Sequence, residues 1–306
     1  MHLKAISIGY AVPRMDFDAT VHSAFRSAVN LRLTDESNLL TLVTSDEADL
    51  PQGVRVDTPD DFSFEIFHAG EPMTCRDNLL RFDSSALTID LRGAVSFSCN
   101  LPALQADMTN PVVATAWRRA WQTLNERQIR SGAEIIAQDL FLSGETIRAG
   151  VSRKAGEAMR NLFEATQRYD MTSVSSVRAL IGLGAGLTPS GDDLLVGYLA
   201  GLWCSVLDKS ERVQFVSNLG KAVIRLSCQT NDISRTYLYH ASRGQVSSPL
   251  TNLAEAICRG ENSDRLITTI KSAMQVGHTS GMDVVSGLLV GLAAWYPNNS
   301  IFFGVH

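Results

Sequence analysis

"SGDDLLVGYLAGL" occupies residues 190–202 and "SGMDVVSGLLVGL" occupies residues 280–292. The two align at an offset of ninety without a gap. Seven of thirteen columns are identical: the Ser, the Gly, the second Asp, two spaced glycines and two leucines. Each copy runs into a charge-free stretch, 194–207 and 284–295. At 14 and 12 residues these fall short of the ~20 needed to cross a bilayer, so both are expected to be buried core helices. Gly197 and Gly201 in one copy, like Gly287 and Gly291 in the other, have the GxxxG spacing that lets two helix backbones approach closely. A duplicated helical unit whose copies pack together is the fold this pattern predicts. Parallel packing would bring the loops before the two helices to one place. Antiparallel packing would hold them about 20 Å apart, the length of 14 residues at 1.5 Å each.

Outward from the repeat, residues 112–130 and 151–169 mix apolar and charged residues at helical spacing, and no alternating run follows. Towards the N-terminus the pattern is different. Short runs separated by turn residues cover Leu3 to Ile8, Phe25 to Leu33, Leu39 to Thr44, Val54 to Asp57, Phe62 to Phe67, Leu79 to Phe82, Leu87 to Leu91 and Ala94 to Ser98. In the second of these, Arg26, Asn30 and Arg32 alternate with apolar residues, the period of a half-buried strand. The fold class is therefore α+β: an antiparallel β barrel or sandwich over residues 1–105, then a mainly helical domain over 110–306 carrying the repeat. The boundary falls in "LPALQADMTNP", where the period changes.

The loop before the first copy, "GLGAGLTPSGDD" at 182–193, holds the candidate site. Gly184, Gly186 and Gly191 let a ligand approach the main chain, and a glycine-rich turn opening a helix can aim N–H groups at an anion. Thr188 and Ser190 add hydroxyl donors, and the second copy supplies Thr279, Ser280 and Gly281. The two loops together are expected to floor one anion-accepting pocket if the helices are parallel. The plain structural alternative makes Ser190 or Asp192 an N-cap and the in-helix glycines packing devices. Asp193 and Asp283 are the equivalent acidic pair, candidates for acid–base work or for holding the loops in shape. His278, in "VGHTSGMD", could donate to an oxyanion or shuttle a proton. Asn231, in "CQTNDIS", could orient a substrate amide or serve as a cap. Asp192 and Asp193 could instead hold a hard cation, but neighbours on a helix point about 100° apart, so no metal is expected. In the first domain Arg26 and Asn30 would share a strand face and could meet a carboxylate.

Composition excludes several classes. Twenty-seven Lys and Arg against thirty-two Asp and Glu give a net charge of -5, without a basic patch interleaved with aromatics, so nucleic acid is not an expected partner. Five scattered cysteines, Cys75, Cys99, Cys204, Cys228 and Cys258, never spaced as CxxC, argue against a disulfide framework or zinc site and for a reducing cytoplasm. The N-terminus is too short in apolar run for a signal peptide, so neither export nor membrane association is expected. The common nucleotide, zinc-protease and serine-hydrolase signatures are missing, and no cofactor is called for.

The strings "GLGAGLTPSGDDLLVGYLAGL", "TNDIS" and "GHTSGMDVVSGLLVGL" resemble a bacterial family typified by the smallest, H-type subunit of the oxamate carbamoyltransferase of allantoin breakdown, many members of which are labelled only as of unknown function. In the first hundred residues the resemblance rests on "VHSAFRSAVNLRL" and "LLTLV". It implies a subunit working beside two larger partner subunits, in a complex that moves a carbamoyl group between oxalurate and phosphate. The small anions would be oxalurate, oxamate, carbamoyl phosphate or phosphate. Phosphorolysis of a ureido bond needs a phosphate site, donors for a developing oxyanion and a group to protonate the departing nitrogen. The alternatives kept open are a non-catalytic small-molecule-binding or assembly subunit, and a stand-alone metal hydrolase using Asp192, Asp193 and His278.

Overall fold

A computed structural model describes residues 1–34, 38–131, 135–140, 150–261, 264–277 and 279–296. The chain divides into two compact units, Met1–Cys99 and Asn100–His306. Residues 100–105, read above as the end of the β-rich part, thus belong to the second unit, where Leu101–Leu104 form a 3-10 turn.

The first unit contains strands β1 (His2–Gly9), β2 (Phe17–Ala24), β3 (Ala28–Leu33), β4 (Leu39–Val43), β5 (Gly53–Asp57), β6 (Pro72–Arg76), β7 (Leu79–Phe82), β8 (Leu87–Asp90) and β9 (Val95–Phe97). Their order is β5-β4-β3-β2-β6-β7-β8-β1-β9, and β1 also pairs with β5. That last pairing closes eight strands into a barrel and leaves β9 appended to β1. Six of the pairings are antiparallel, while β1–β8, β1–β9 and β4–β5 are parallel. Bulges between Ala5 and Ser7 and between Val21 and Ser23 bend β1 and β2, which helps a sheet curl into a closed barrel. Inward residues such as Val29, Leu31, Leu42, Val54, Val56, Leu80 and Ile89 are fully buried.

Two stretches differ from the sequence reading. Phe62 to Phe67 is a 3-10 turn at Phe64–Ile66 rather than a strand. It sends Phe64 and Phe67 into the barrel core, where the Phe67 and Phe82 rings lie 4.4 Å apart. Burial of aromatics, and not pairing, accounts for that apolar run. Residues 25–33 are not one strand either, because Phe25 N–H donates to Ala28 C=O and residues 25–27 turn the chain between β2 and β3.

The described part of the second unit is helical: α1 (Pro111–Ser131), α2 (Val151–Gln167), α3 (Ser173–Leu180), α4 (Ser190–Cys204), α5 (Ser210–Leu226), α6 (Asp232–Ala241), α7 (Ser248–Cys258), α8 (Asp264–Met274) and α9 (Ser280–Ala293). Helices α4 and α9 are buried on nearly every side, as helices apolar all round must be. They are the two copies of the repeat. A Cβ added to Gly197 would sit 1.9 Å from Val284 C=O and 2.7 Å from Leu288 N, and one added to Gly287 would sit 2.1 Å from Leu194 C=O and 2.8 Å from Tyr198 N. Subtracting ninety from the first pair of partners returns the second pair. The same reciprocity joins Gly201, against Leu288 C=O and Leu292 N, to Gly291, against Tyr198 C=O and Leu202 N. Partner numbers rise together along both helices, so α4 and α9 run parallel about a local two-fold axis. Around them, Trp117 of α1 donates from Nε1 to Leu289 C=O at 2.8 Å, and Thr166 of α2 shares a 2.7 Å hydrogen bond with the buried Tyr198 hydroxyl. Among the described residues no helix is long and apolar enough to cross a membrane. None of the five cysteines is in a disulfide.

Candidate functional site

Parallel packing sets the N-termini of α4 and α9 side by side, and their preceding loops touch. The Thr188 hydroxyl lies 2.6 Å from the Ser280 hydroxyl, so a hydrogen bond joins the first loop to the first residue of the second copy.

Each loop is built alike. Gly191 N–H donates to Leu183 C=O and Gly281 N–H to Val276 C=O, at 2.8 and 2.9 Å. A Cβ on Gly191 would fall 2.0 Å from Leu180 C=O at the end of α3, and one on Gly281 2.6 Å from Ala273 C=O in the last turn of α8. The duplicated element is therefore helix, loop and helix: α3 with α4, and α8 with α9. Pro189 C=O accepts from Asp192 and Asp193, as Thr279 C=O accepts from Met282 and Asp283. The structural equivalents of Leu183 and Gly184 are Val276 and Gly277. Five residues separate Gly184 from Ser190 and two separate Gly277 from Ser280, so the first loop is longer by three.

These bonds narrow the set of anion donors expected from sequence. The N–H groups of Gly191, Gly281 and the residues after them are spent inside the fold. By contrast the N–H groups of Gly184, Ala185, Gly186, Leu187, Thr188 and Ser190 meet no acceptor among the described residues. Gly184 and Gly186 have φ of 114° and 96°, a region that disfavours other L-residues. A Cβ on Gly184 would also meet Ser190 N at 2.9 Å. Residues 185–187 are exposed, and Thr188 and Ser190 half-buried.

The carboxylates take different parts. Asp192 is buried; it accepts from Gly182 N–H at 2.8 Å and from the Thr230 hydroxyl at 2.5 Å. Burial raises its pKa and these donors oppose the rise. It ties the loop before α4 to the segment before α6. Asp193 is also buried, and its Oδ2 has no hydrogen-bond partner. Loss of solvent pushes its carboxyl well above the usual range, the hydroxyls of Ser280 and Thr188 pull it back, and the charges of Asp283 and Asp192 push it further up. Asp283, its equivalent on α9, is likewise buried.

Asn231 caps α6, accepting from Ser234 N–H, and donates from Nδ2 to Leu187 C=O at 2.9 Å. It braces the first loop from outside. Thr230 and Gly182, which hold Asp192, are not among the residues that sequence reasoning singles out; the adjacent "TN" in the 228–234 stretch is the available signal. His278 lies outside the described residues. Among those residues no group of three or more His, Cys, Asp or Glu could hold a metal. In the barrel, Arg26 and Asn30 do not share a face: Arg26 sits in the turn before β3, while Asn30 is buried, donating to Ser23 and accepting from Thr41. Arg26 lines a polar cavity of about 500 Å³ at one barrel end with Asp46, Glu47 and Asp60.

The family described as oxamate carbamoyltransferase subunit AllH matches residues 180–292, the span from the end of α3 to the end of α9. The AllH family N-terminal domain matches residues 4–96, the barrel. The chain belongs to the AllH family. Both matches fall on the elements described above, and together they cover most of the chain. Membership makes this protein a subunit of an oxamate carbamoyltransferase, a multi-subunit enzyme by that designation, and ties it to allantoin-related metabolism. No solved structure matches the chain.

Proposed function

We propose that this AllH protein binds a small anion, phosphate or a carboxylate-bearing substrate of the carbamoyl transfer, on the loops at 184–190 and 277–281. The observation that carries this reading is the run of main-chain N–H groups from Gly184 to Thr188 that meet no acceptor among the described residues, on a loop held open by left-handed glycines. Successive unpaired N–H groups form the concave donor array that anions occupy. The positive ends of α4 and α9, pointing at one place, favour negative charge there. Thr188, Ser190, Thr279 and Ser280 would add hydroxyl donors for phosphate or a developing oxyanion. Asp193, Asp283 and His278 are the candidates to exchange protons, and Asp192 and Asn231 set the loop. The two larger partner subunits would complete the active site in the cytoplasm.

The assembly reading is favoured by one feature: Leu187, 53 % exposed at the tip of the first loop, an apolar side chain suited to a partner surface. A single set of measurements separates the two. Phosphate, oxamate or oxalurate should raise the melting temperature of the isolated chain, because a ligand that binds only the native state stabilises it. Thr188→Val should abolish that rise, and the reconstituted complex carrying Thr188→Val should lose oxalurate phosphorolysis. No shift with any of these anions, together with full activity of the Thr188→Val complex, would leave assembly as the role.

A further inference from the structure

Asp193 is a buried carboxyl group with one unpartnered oxygen. Its side chain is buried at 7 % exposure in the first turn of α4, and Oδ2 meets neither solvent nor a donor. On the same helix Asp192, 2 % exposed, has both oxygens met by donors, the Gly182 N–H and the Thr230 hydroxyl. Across the local two-fold axis, α9 presents Asp283, 4 % exposed. The loops contribute the hydroxyls of Thr188 and Ser280, bonded to each other. Three carboxyl groups are thus gathered at two helix N-termini, each worth about half a positive charge. Those two half-charges offset roughly one carboxylate, and Asp192 with its two donors has the first claim on them.

We propose that Asp193 is held protonated at neutral pH and is the proton donor of the loop site. An ionised carboxylate with an unsolvated, unpartnered oxygen is among the costliest groups to bury, and protonation removes the charge. Two buried like charges as neighbours push in the same direction. A metal ion would neutralise the group less well here, since both helix ends repel a cation and, among the described residues, no group of three or more His, Cys, Asp or Glu side chains is placed to hold one. As a donor, the group rests on the reading of the previous section. The acid's proton leaves through the Ser280 and Thr188 hydroxyls that bond Asp193 and each other and reaches a substrate nitrogen as a phosphate oxygen bonds the carbamoyl carbon and the C–N bond breaks. The bonding pair stays on nitrogen, and the carboxylate regains a proton from water by the same hydroxyls.

The protonation state is tested without any substrate. Infrared spectra of the full chain at pH 7.5 should show the carbonyl stretch of a protonated carboxyl, resolved above the amide band, that Asp193→Asn removes and Asp283→Asn leaves. The native state keeps a proton that the unfolded chain releases above about pH 4, so the ratio of folded to unfolded wild type should fall up to about tenfold per pH unit as pH rises, until the native carboxyl itself ionises. Asp193→Asn, which mimics the protonated acid, should lack that component. A spectrum without the band, a band that Asp193→Asn leaves in place, or a stoichiometric cation that Asp193→Asn releases would each overturn the assignment. If the band is present and anion binding fails, the protonation stands and the anion reading falls.

Discussion

Gly197→Ala places a methyl group where Val284 C=O lies at 1.9 Å and Leu288 N at 2.7 Å. An ordinary contact is about 3.5 Å, so α4 and α9 must separate by roughly 1.5 Å at the crossing, because backbone atoms cannot rotate aside. A gap of even 1 Å forfeits up to about half of each dispersion well along the seam, and over-packing of a tight core costs about 1–3 kcal/mol or more. Alanine returns up to about 1 kcal/mol of helix propensity. The expected net loss is about 2–3 kcal/mol. Gly287→Ala, its two-fold equivalent, should cost about the same. The double variant should cost clearly less than the sum, since the second methyl enters space the first has opened; a coupling of about 1–2 kcal/mol is in the usual range for groups sharing one contact. Urea unfolding followed by tryptophan fluorescence reads this directly. All four tryptophans, Trp117, Trp121, Trp203 and Trp295, lie after residue 99 and report on the helical unit alone. A Gly197→Ala cost below about 0.5 kcal/mol, or a double variant equal to the sum of the singles, would refute the reciprocal seam.

Gly156 in α2 is the contrasting case: a Cβ there meets only Arg160 Nη1, at 3.6 Å. Gly156→Ala should therefore raise stability by about 0.5–1 kcal/mol in the same assay. Asp192→Ala strands the Gly182 N–H and the Thr230 hydroxyl and should cost about 2–3 kcal/mol, whereas Thr230→Val, removing one donor, should cost about 1–2 kcal/mol. The imidazole of His240, buried and near Arg243, is lowered to about 4. The unfolded chain takes up this proton first as pH falls, so its contribution to stability is complete above about pH 6.5 and is lost between there and pH 4, about 2 kcal/mol by pH 5. Comparing wild type with His240→Gln at pH 7 and pH 5 should show the slope in wild type and a weaker one in the variant.

The barrel is only partly legible in the sequence. Short apolar runs mark β1, β3, β4, β5, β7, β8 and β9, but β2 and β6 escape that reading: in "FDATVHSA" and "PMTCR" polar residues interrupt every apolar one, so no continuous run forms although Ala19, Val21, Met73 and Cys75 are buried. The apolar 62–67 run looks like a strand because the length of an apolar run does not distinguish pairing from plugging. Closure through β1–β5, and the parallel pairs, rest on contacts between strands distant in sequence, which no local pattern encodes.

The repeat, the burial of its helices and their packing through Gly197, Gly201, Gly287 and Gly291 were legible locally, because charge-free stretches exclude water and glycine spacing is a local signal. Direction was decided only in three dimensions. Two GxxxG faces can meet either way, and the rest of the helical unit, with Trp117 on Leu289 and Thr166 on Tyr198, fixes them parallel and so brings Thr188 to Ser280. Which N–H groups remain free was also a tertiary outcome. Sequence pointed to the amides of the whole 184–191 loop and of its copy, but the carbonyls of Leu183 and Val276 fold back onto the Gly191 and Gly281 amides and narrow the donors to the earlier part of the first loop, residues 184–188. A hydrogen bond taken by the fold is unavailable to a ligand, and only the folded chain decides which are taken.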